Sequence, residues 1–249
     1  VKAVAFRPSD SLLATGGADR TVRLWNVAVD QPEETVQILG GHEMPVTGVA
    51  FHPTKKDQLA SVSMDGTLRL WNLAAAPPQS IVLTPETPVT PAGTARLNAV
   101  AFSSDGRWLA ASGRNAVNLW DLKAKSLAES IQFLGGDYFT SVSFSHDGRR
   151  LVCGDTLGQT HLWDLTAENI DATESILSGH SRWVTSAEFN RDDSNLITAS
   201  QDGTVRIWEL RPDRLLKIAR STAGRKLRVH EYKQFPPEAL IPALEERVK

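Results

Sequence analysis

The sequence predicts an all-β fold made of five repeats of a four-stranded unit, the last one incomplete, followed by a short helical tail. The first observation is a recurring ending: Val22-Arg23-Leu24-Trp25-Asn26, Leu68-Arg69-Leu70-Trp71-Asn72, Val117-Asn118-Leu119-Trp120-Asp121, Thr160-His161-Leu162-Trp163-Asp164 and Val205-Arg206-Ile207-Trp208-Glu209. These stand 46, 49, 43 and 45 residues apart, the period of a repeat with four short strands. The second is an apolar run before each ending, with large residues at its first, fourth and sixth positions. It reads Val1 to Phe6, Val46 to Phe51, Leu97 to Phe102, Phe139 to Phe144 and Val184 to Phe189. The step from first to fourth places apolar residues on both faces, which predicts a strand buried on both sides.

The other elements follow in order. Turn chemistry succeeds each first strand, as in His52-Pro53-Thr54 and Ser104-Asp105-Gly106. Second strands such as Leu12 to Thr15 and Leu196 to Ala199 come next, and tight turns such as Met64-Asp65-Gly66-Thr67 lead into the Trp strand. Fourth strands read Val36 to Leu39, Ile81 to Leu83, Ser130 to Phe133 and Glu174 to Leu177; the fifth unit has no candidate.

With Gly41-His42 and Gly179-His180 ahead of first strands, and Trp-Asp-Leu at Trp120 and Trp163, residues 1–210 resemble the WD-repeat β-propeller family. The resemblance implies blades over about 1–45, 46–96, 97–138, 139–183 and 184–210, set around a central channel. It also implies that the outer strand of a final blade is supplied by the N-terminal end of the ring. Register puts the first repeat's His at position −3, before Val1, and that closing strand is missing here. The expectation is therefore a C-terminal piece of a longer protein with further blades upstream, because an open ring leaves sheet edges unpaired.

Residues 211–249 are expected to form a basic helical extension. The run Ala219 to Leu227 with Tyr232 and Phe235 resembles a tail found after propellers in bacterial multidomain WD-repeat proteins. Residues 1–210 carry 17 Lys/Arg against 24 Asp/Glu, a net −7, while 211–249 carry 10 against 5, a net +5. An acidic body is poorly suited to general nucleic-acid binding, which rests on neutralising phosphates. The sequence has neither an apolar run of membrane-spanning length nor a signal-peptide pattern. One cysteine, Cys153, sits in a strand interior and has no partner within the sequence, which points to a cytoplasmic setting.

His42, Ser61 and Asp65 have the composition of a nucleophilic triad. The set recurs as His180, Thr198 and Asp202, with the hydroxyl and the Asp at fixed offsets from Trp71 and Trp208, whereas a triad needs one exposed nucleophile. Repetition marks it as architecture, and the resemblance implies two hydrogen-bonded tetrads completed by the indoles. The third and fourth units lack the set. Ala111 stands at the hydroxyl position of the third, and Gly135-Gly136-Asp137, Cys153 and Leu157 replace it in the fourth. No catalytic residue, cofactor or metal is expected: the six histidines never pair at ligand spacing and no phosphate loop is present. Arg23, Arg69 and Arg206, two positions before Trp, read as solvated strand positions.

The expected function is therefore non-enzymatic: an interaction scaffold binding a protein or peptide through loops on one face, a small molecule not being excluded. By the resemblance, that face holds Pro45, Arg96, Tyr138 and Trp183 before the first strands and Ala18, Met64, Thr156 and Gln201 in the tight turns. Arg96, Tyr138, Arg182, Trp183, Met64 and Gln201 are the candidate contacts, the aromatic and arginine residues being types favoured at hot spots. The alternative is a sensing propeller in a bacterial signalling protein with an upstream ATPase, kinase or protease-like module.

Overall fold

The computed structural model describes residues 1–85, 96–211 and 214. Apart from residues 211 and 214 the expected tail lies outside the described residues, as do Pro88 and Pro91 of the proline-rich stretch. Five antiparallel sheets follow one another along the chain. The first contains β1 (Ala3–Phe6), β2 (Leu12–Gly16), β3 (Val22–Asn26) and β4 (Gln37–Leu39), and the second β5 (Val46–Phe51), β6 (Gln58–Ser63), β7 (Leu68–Asn72) and β8 (Gln79–Leu83). The third holds β9 (Leu97–Phe102), β10 (Trp108–Gly113), β11 (Val117–Asp121) and β12 (Gln132–Leu134). The fourth holds β13 (Phe139–Phe144), β14 (Arg150–Asp155), β15 (Gln159–Asp164) and β16 (Ser175–Ser178). Only β17 (Val184–Phe189), β18 (Asn195–Ser200) and β19 (Val205–Glu209) make up the fifth.

Each sheet is a meander in chain order, with a tight turn between its second and third strands and a longer loop before the fourth where one is present. Asp65 builds one such turn by accepting the Thr67 amide at 2.9 Å, and Gly66 supplies the positive φ of 81° that the turn requires. Gly203 does the same in the fifth sheet at φ 82°.

The core lies between sheets. Leu24 and Val22 pack with Phe51 and Trp71 of the next sheet, Leu68 and Leu70 with Leu109 and Trp120, Val117 and Leu119 with Phe144 and Trp163, and Val152 and Leu162 with Phe189 and Leu196. First strands are also stitched together. The Thr47 hydroxyl donates to the Leu97 carbonyl at 2.8 Å, Asn98 Nδ2 to the Phe139 carbonyl at 2.7 Å, and Thr140 to the Val184 carbonyl. One side chain thus ties each of β5, β9 and β13 to the first strand of the following sheet.

The terminal sheets correct the expectation that every first strand is buried on both faces. Val4 and Phe6 of β1 are 61% and 63% exposed, because no described element packs on that side. In the fifth sheet Val205 and Ile207 are 65% and 70% exposed, and Ile197 is 40% exposed.

Candidate functional site

Two buried chains of hydrogen bonds cross the second and fifth sheets. In the second, the Trp71 indole donates to Ser61 Oγ at 2.8 Å, Ser61 lies 2.8 Å from His42 Nε2, and His42 Nδ1 lies 3.0 Å from Asp65. A carboxylate only accepts and an indole only donates, which assigns the direction: indole to hydroxyl, hydroxyl to Nε2, Nδ1–H to carboxylate. The fifth sheet repeats it through Trp208, Thr198, His180 and Asp202 at 2.9, 2.8 and 2.9 Å. In the first sheet only the Trp25 to Thr15 bond at 3.0 Å is present among the described residues.

Burial lowers the His42 imidazole below its usual 6.5, outweighing the attraction of Asp65. Burial would by itself raise Asp65, but the Thr67 hydroxyl and the amides of Glu43 and Thr67 hold its carboxyl below the usual 3.8. Hydrogen bonds, led by that of the Thr204 hydroxyl, hold Asp202 well below it too. Ser61 is fully buried and its oxygen is committed to an indole and an imidazole, so it offers no nucleophile to a substrate.

The fourth sheet builds a different centre that sequence reasoning missed. Gly135 holds the position of His42 and His180 at φ 64°. A Cβ there would stand 2.8 Å from Cζ of Phe139, so the Phe139 ring leaves no room for a side chain at 135. Polar function passes to His161, fully buried in β15 and stacked on Trp163 at 5.8 Å. Its Nδ1 lies 2.8 Å from Glu174 and its Nε2 3.3 Å from the buried Asp155. Both partners are acceptors when ionised, so the ring satisfies both only by donating from both nitrogens. Asp137 Oδ2 lies 3.9 Å away, and the ligand-type atoms of Asp137, Asp155 and His161 fall within 4.8 Å of one another. Both ring nitrogens already face carboxylates, so the arrangement is a buried hydrogen-bonded cluster of one histidine and its acids. No spacing rule points to it, because its members come from three separate segments.

One end of the sheets carries the candidate contacts. The residue before each first strand offers its carbonyl to the tight-turn amide of the same sheet: Pro45 to Met64 at 3.1 Å, Arg96 to Arg114 at 3.1 Å, Tyr138 to Thr156 at 3.1 Å and Trp183 to Gln201 at 2.9 Å. The backbone repeats while the side chains do not. Arg114 was overlooked because its turn is one residue shorter, with Asn115 at φ 77°. Tyr138 and Trp183 face each other across two sheets, ring centroids 6.5 Å apart and planes at 54°, and Trp183 is 45% exposed. Arg96, Arg114, Arg182 and Gln201 are exposed; Met64 is half-buried. By contrast, Arg69 bonds the Gly41 carbonyl at 2.7 Å and Arg23 pairs with Asp19 at 2.7 Å, on the sheets' own surfaces.

Comparison with known proteins accords with this architecture. The chain is 25% identical over 178 residues to the target of rapamycin complex subunit LST8 of Mus musculus, covering 71% of this chain and 50% of that protein. It is 28% identical over 166 residues to pre-mRNA-processing factor 19 of Oryza sativa subsp. japonica, 66% of this chain and 30% of that one. Protein Atg16l2 of Homo sapiens is 49% identical over 61 residues, 24% of this chain and 10% of that protein. The chain thus spans between a tenth and a half of these curated relatives. Residues 1–26, 33–72, 88–121, 129–164 and 172–209, more than half of the sequence, match the WD domain, G-beta repeat, and with five such sheets in succession the chain belongs to the WD-repeat family.

Proposed function

We propose that the chain is a non-catalytic interaction module that binds a protein or peptide through the rim holding Arg96, Tyr138, Arg182, Trp183, Met64 and Gln201. The carrying observation is the division of labour at that rim: a carbonyl-to-amide bond repeated in four sheets fixes the backbone, while the side chains differ in every sheet. Repeated groups are spent on the fold, as in the two tetrads; unrepeated ones on a rigid frame are free to recognise. A half-exposed Trp beside a Tyr on such a frame has the make-up of a hot spot. One relative's name, a complex subunit, accords with an assembly role.

The narrower reading, a sensing propeller within a bacterial signalling protein, draws no support from the relatives above, which are plant and mammalian proteins. A cytoplasmic setting rests on the unpaired, fully buried Cys153. No helix among the described residues is long and apolar enough to cross a membrane.

Selection from a random peptide display library tests the reading. Selected peptides should lose at least about 2 kcal/mol of binding when Tyr138 and Trp183 are both changed to alanine. Ligands that bind the double variant unchanged would place recognition elsewhere on the chain.

A further inference from the structure

We infer that the partner segment at this rim is an acidic peptide with one apolar or aromatic residue, a conclusion that rests on the rim being the binding face. The third and fourth sheets differ from the others at their tight turns. In the first, second and fifth sheets the turn carries Asp19, Asp65 or Asp202, each tied to a neighbouring threonine at 3.0, 2.7 and 2.6 Å. In the third that acid is gone and Arg114 stands directly against Arg96; in the fourth Leu157 replaces it. Across the aromatic pair, Arg182 adjoins Trp183 in sequence.

Arg96, Arg114 and Arg182 are exposed, and none has an ion-pair partner among the described residues. Arg7, Arg23, Arg107 and Arg211 pair with carboxylates, while others such as Arg20 and Arg191 do not among the described residues, so it is the grouping of three at one end that marks the rim. The turn acids Asp65 and Asp202, which follow Met64 and Gln201 in sequence, point their carboxylates at His42 and His180 inside the sheets. Three guanidinium groups without an ion-pair partner among the described residues, at the end of the sheets that carries the Tyr–Trp shelf, concentrate positive charge on a body whose residues 1–210 carry net −7. Such a concentration attracts carboxylates, guanidinium groups hold them in fork geometry, and the shelf accepts one apolar side chain. The acidic body repels an extended polyanion, which favours a short peptide over nucleic acid.

The test uses fluorescence anisotropy with a short fluorescein-labelled peptide of glutamates around one leucine, and a twin with glutamine in place of every glutamate. The acidic probe should bind at least about tenfold more tightly than its twin. Arg96→Glu and Arg114→Glu should each weaken it by a similar factor, while Arg191→Glu, a charge reversal on the turn between β17 and β18, should leave it unchanged. Equal binding of the twin, indifference to the two rim reversals, an equal loss with Arg191→Glu, or displacement by a single-stranded oligonucleotide at lower concentration would each overturn the inference. If neither probe binds while display-selected neutral peptides lose affinity with Tyr138→Ala and Trp183→Ala, the acidic preference is wrong and the binding face stands. Should selected peptides ignore those two changes as well, the binding face itself is wrong.

Discussion

The Trp71 indole donates to Ser61 Oγ at 2.8 Å, and this bond closes a buried chain that ends on Asp65. Trp71 is only 4% exposed, wedged between the first and second sheets with Phe51 and Leu24. Trp208 makes the equivalent bond at 2.9 Å but lies in the last sheet, where it is half-buried. Trp71→Ala is expected to destabilise by roughly 3–5 kcal/mol, the range for deleting a buried aromatic. Trp208→Ala should cost clearly less, since less packing is lost. Denaturant unfolding of both variants checks the order; equal costs would show that the hydrogen bond, common to both, outweighs the burial that separates them.

The same chain predicts acid lability with a definite sign. His42 is held neutral by burial, its folded pKa below 6.5, so its contribution is complete above about pH 6.5 and declines as pH falls. Asp65 and Asp202, both lowered from 3.8, add a second loss as pH falls below about 4. The melting temperature should therefore decline from pH 7 to pH 5 and again toward pH 3. His42→Gln should be less stable at pH 7 yet show a shallower slope between pH 6.5 and 5. An unchanged slope would remove His42 from the acid response.

The fold was legible because repetition multiplies weak signals: one Trp closing a β-rich run says little, and five at a near-constant period leave one architecture. The tetrad residues were legible for the same reason, the hydroxyl and the Asp standing at fixed offsets before Trp and the His four residues before a first strand. Where the repeat breaks, so does legibility. Arg114 escaped notice because losing one turn residue moves it out of register, and only the bond from its amide to the Arg96 carbonyl restores its rank. His161 stands at the place of Arg23, Arg69 and Arg206, and the pattern gave no hint that the Phe139 ring would leave no room for a side chain at 135. Burial of the first strands was misjudged at the ends because periodicity describes a strand's two faces, and not whether a neighbour covers them.

His161 offers the sharpest test of the fourth sheet's own solution. Asp155 is fully buried; besides the Leu157 and Gln159 amides at 3.0 and 2.6 Å, it meets the imidazole of His161 at 3.3 Å. Replacing one member of such a buried polar pair strands the other, at a cost of up to about 3–5 kcal/mol when the survivor is a charge. His161→Leu is expected to fall in that range, and the double change Asp155→Asn with His161→Leu to recover a substantial part of it. Chemical denaturation of the two variants decides the matter. Additive losses would show that the two residues act independently and that the cluster is not a unit.

The exposed faces at the two ends are equivalent to surfaces that are buried inside the chain. Val152 pairs with Leu162, and these two pack against Ala187 and Phe189 of the following sheet. In the last sheet Ile197 pairs with Ile207 in the same register, yet both are exposed. In the first sheet Val4 and Phe6 hold the register of Ala187 and Phe189, since Phe6 pairs with Leu13 as Phe189 does with Leu196. The two ends therefore present complementary halves of one inter-sheet contact, and burying a side chain of this size is worth about 1.5–3 kcal/mol. The chain by itself should associate head to tail as concentration rises, its weight-average mass in sedimentation increasing without a fixed limit, because a contact between unlike surfaces does not close on itself after two copies. Ile207→Lys and Phe6→Lys, each alone, should hold the chain monomeric, since either removes one half of the contact. Association that persists in both variants would move the interface to the outer strands, where Ile38, Ile81 and Ile176 are also exposed.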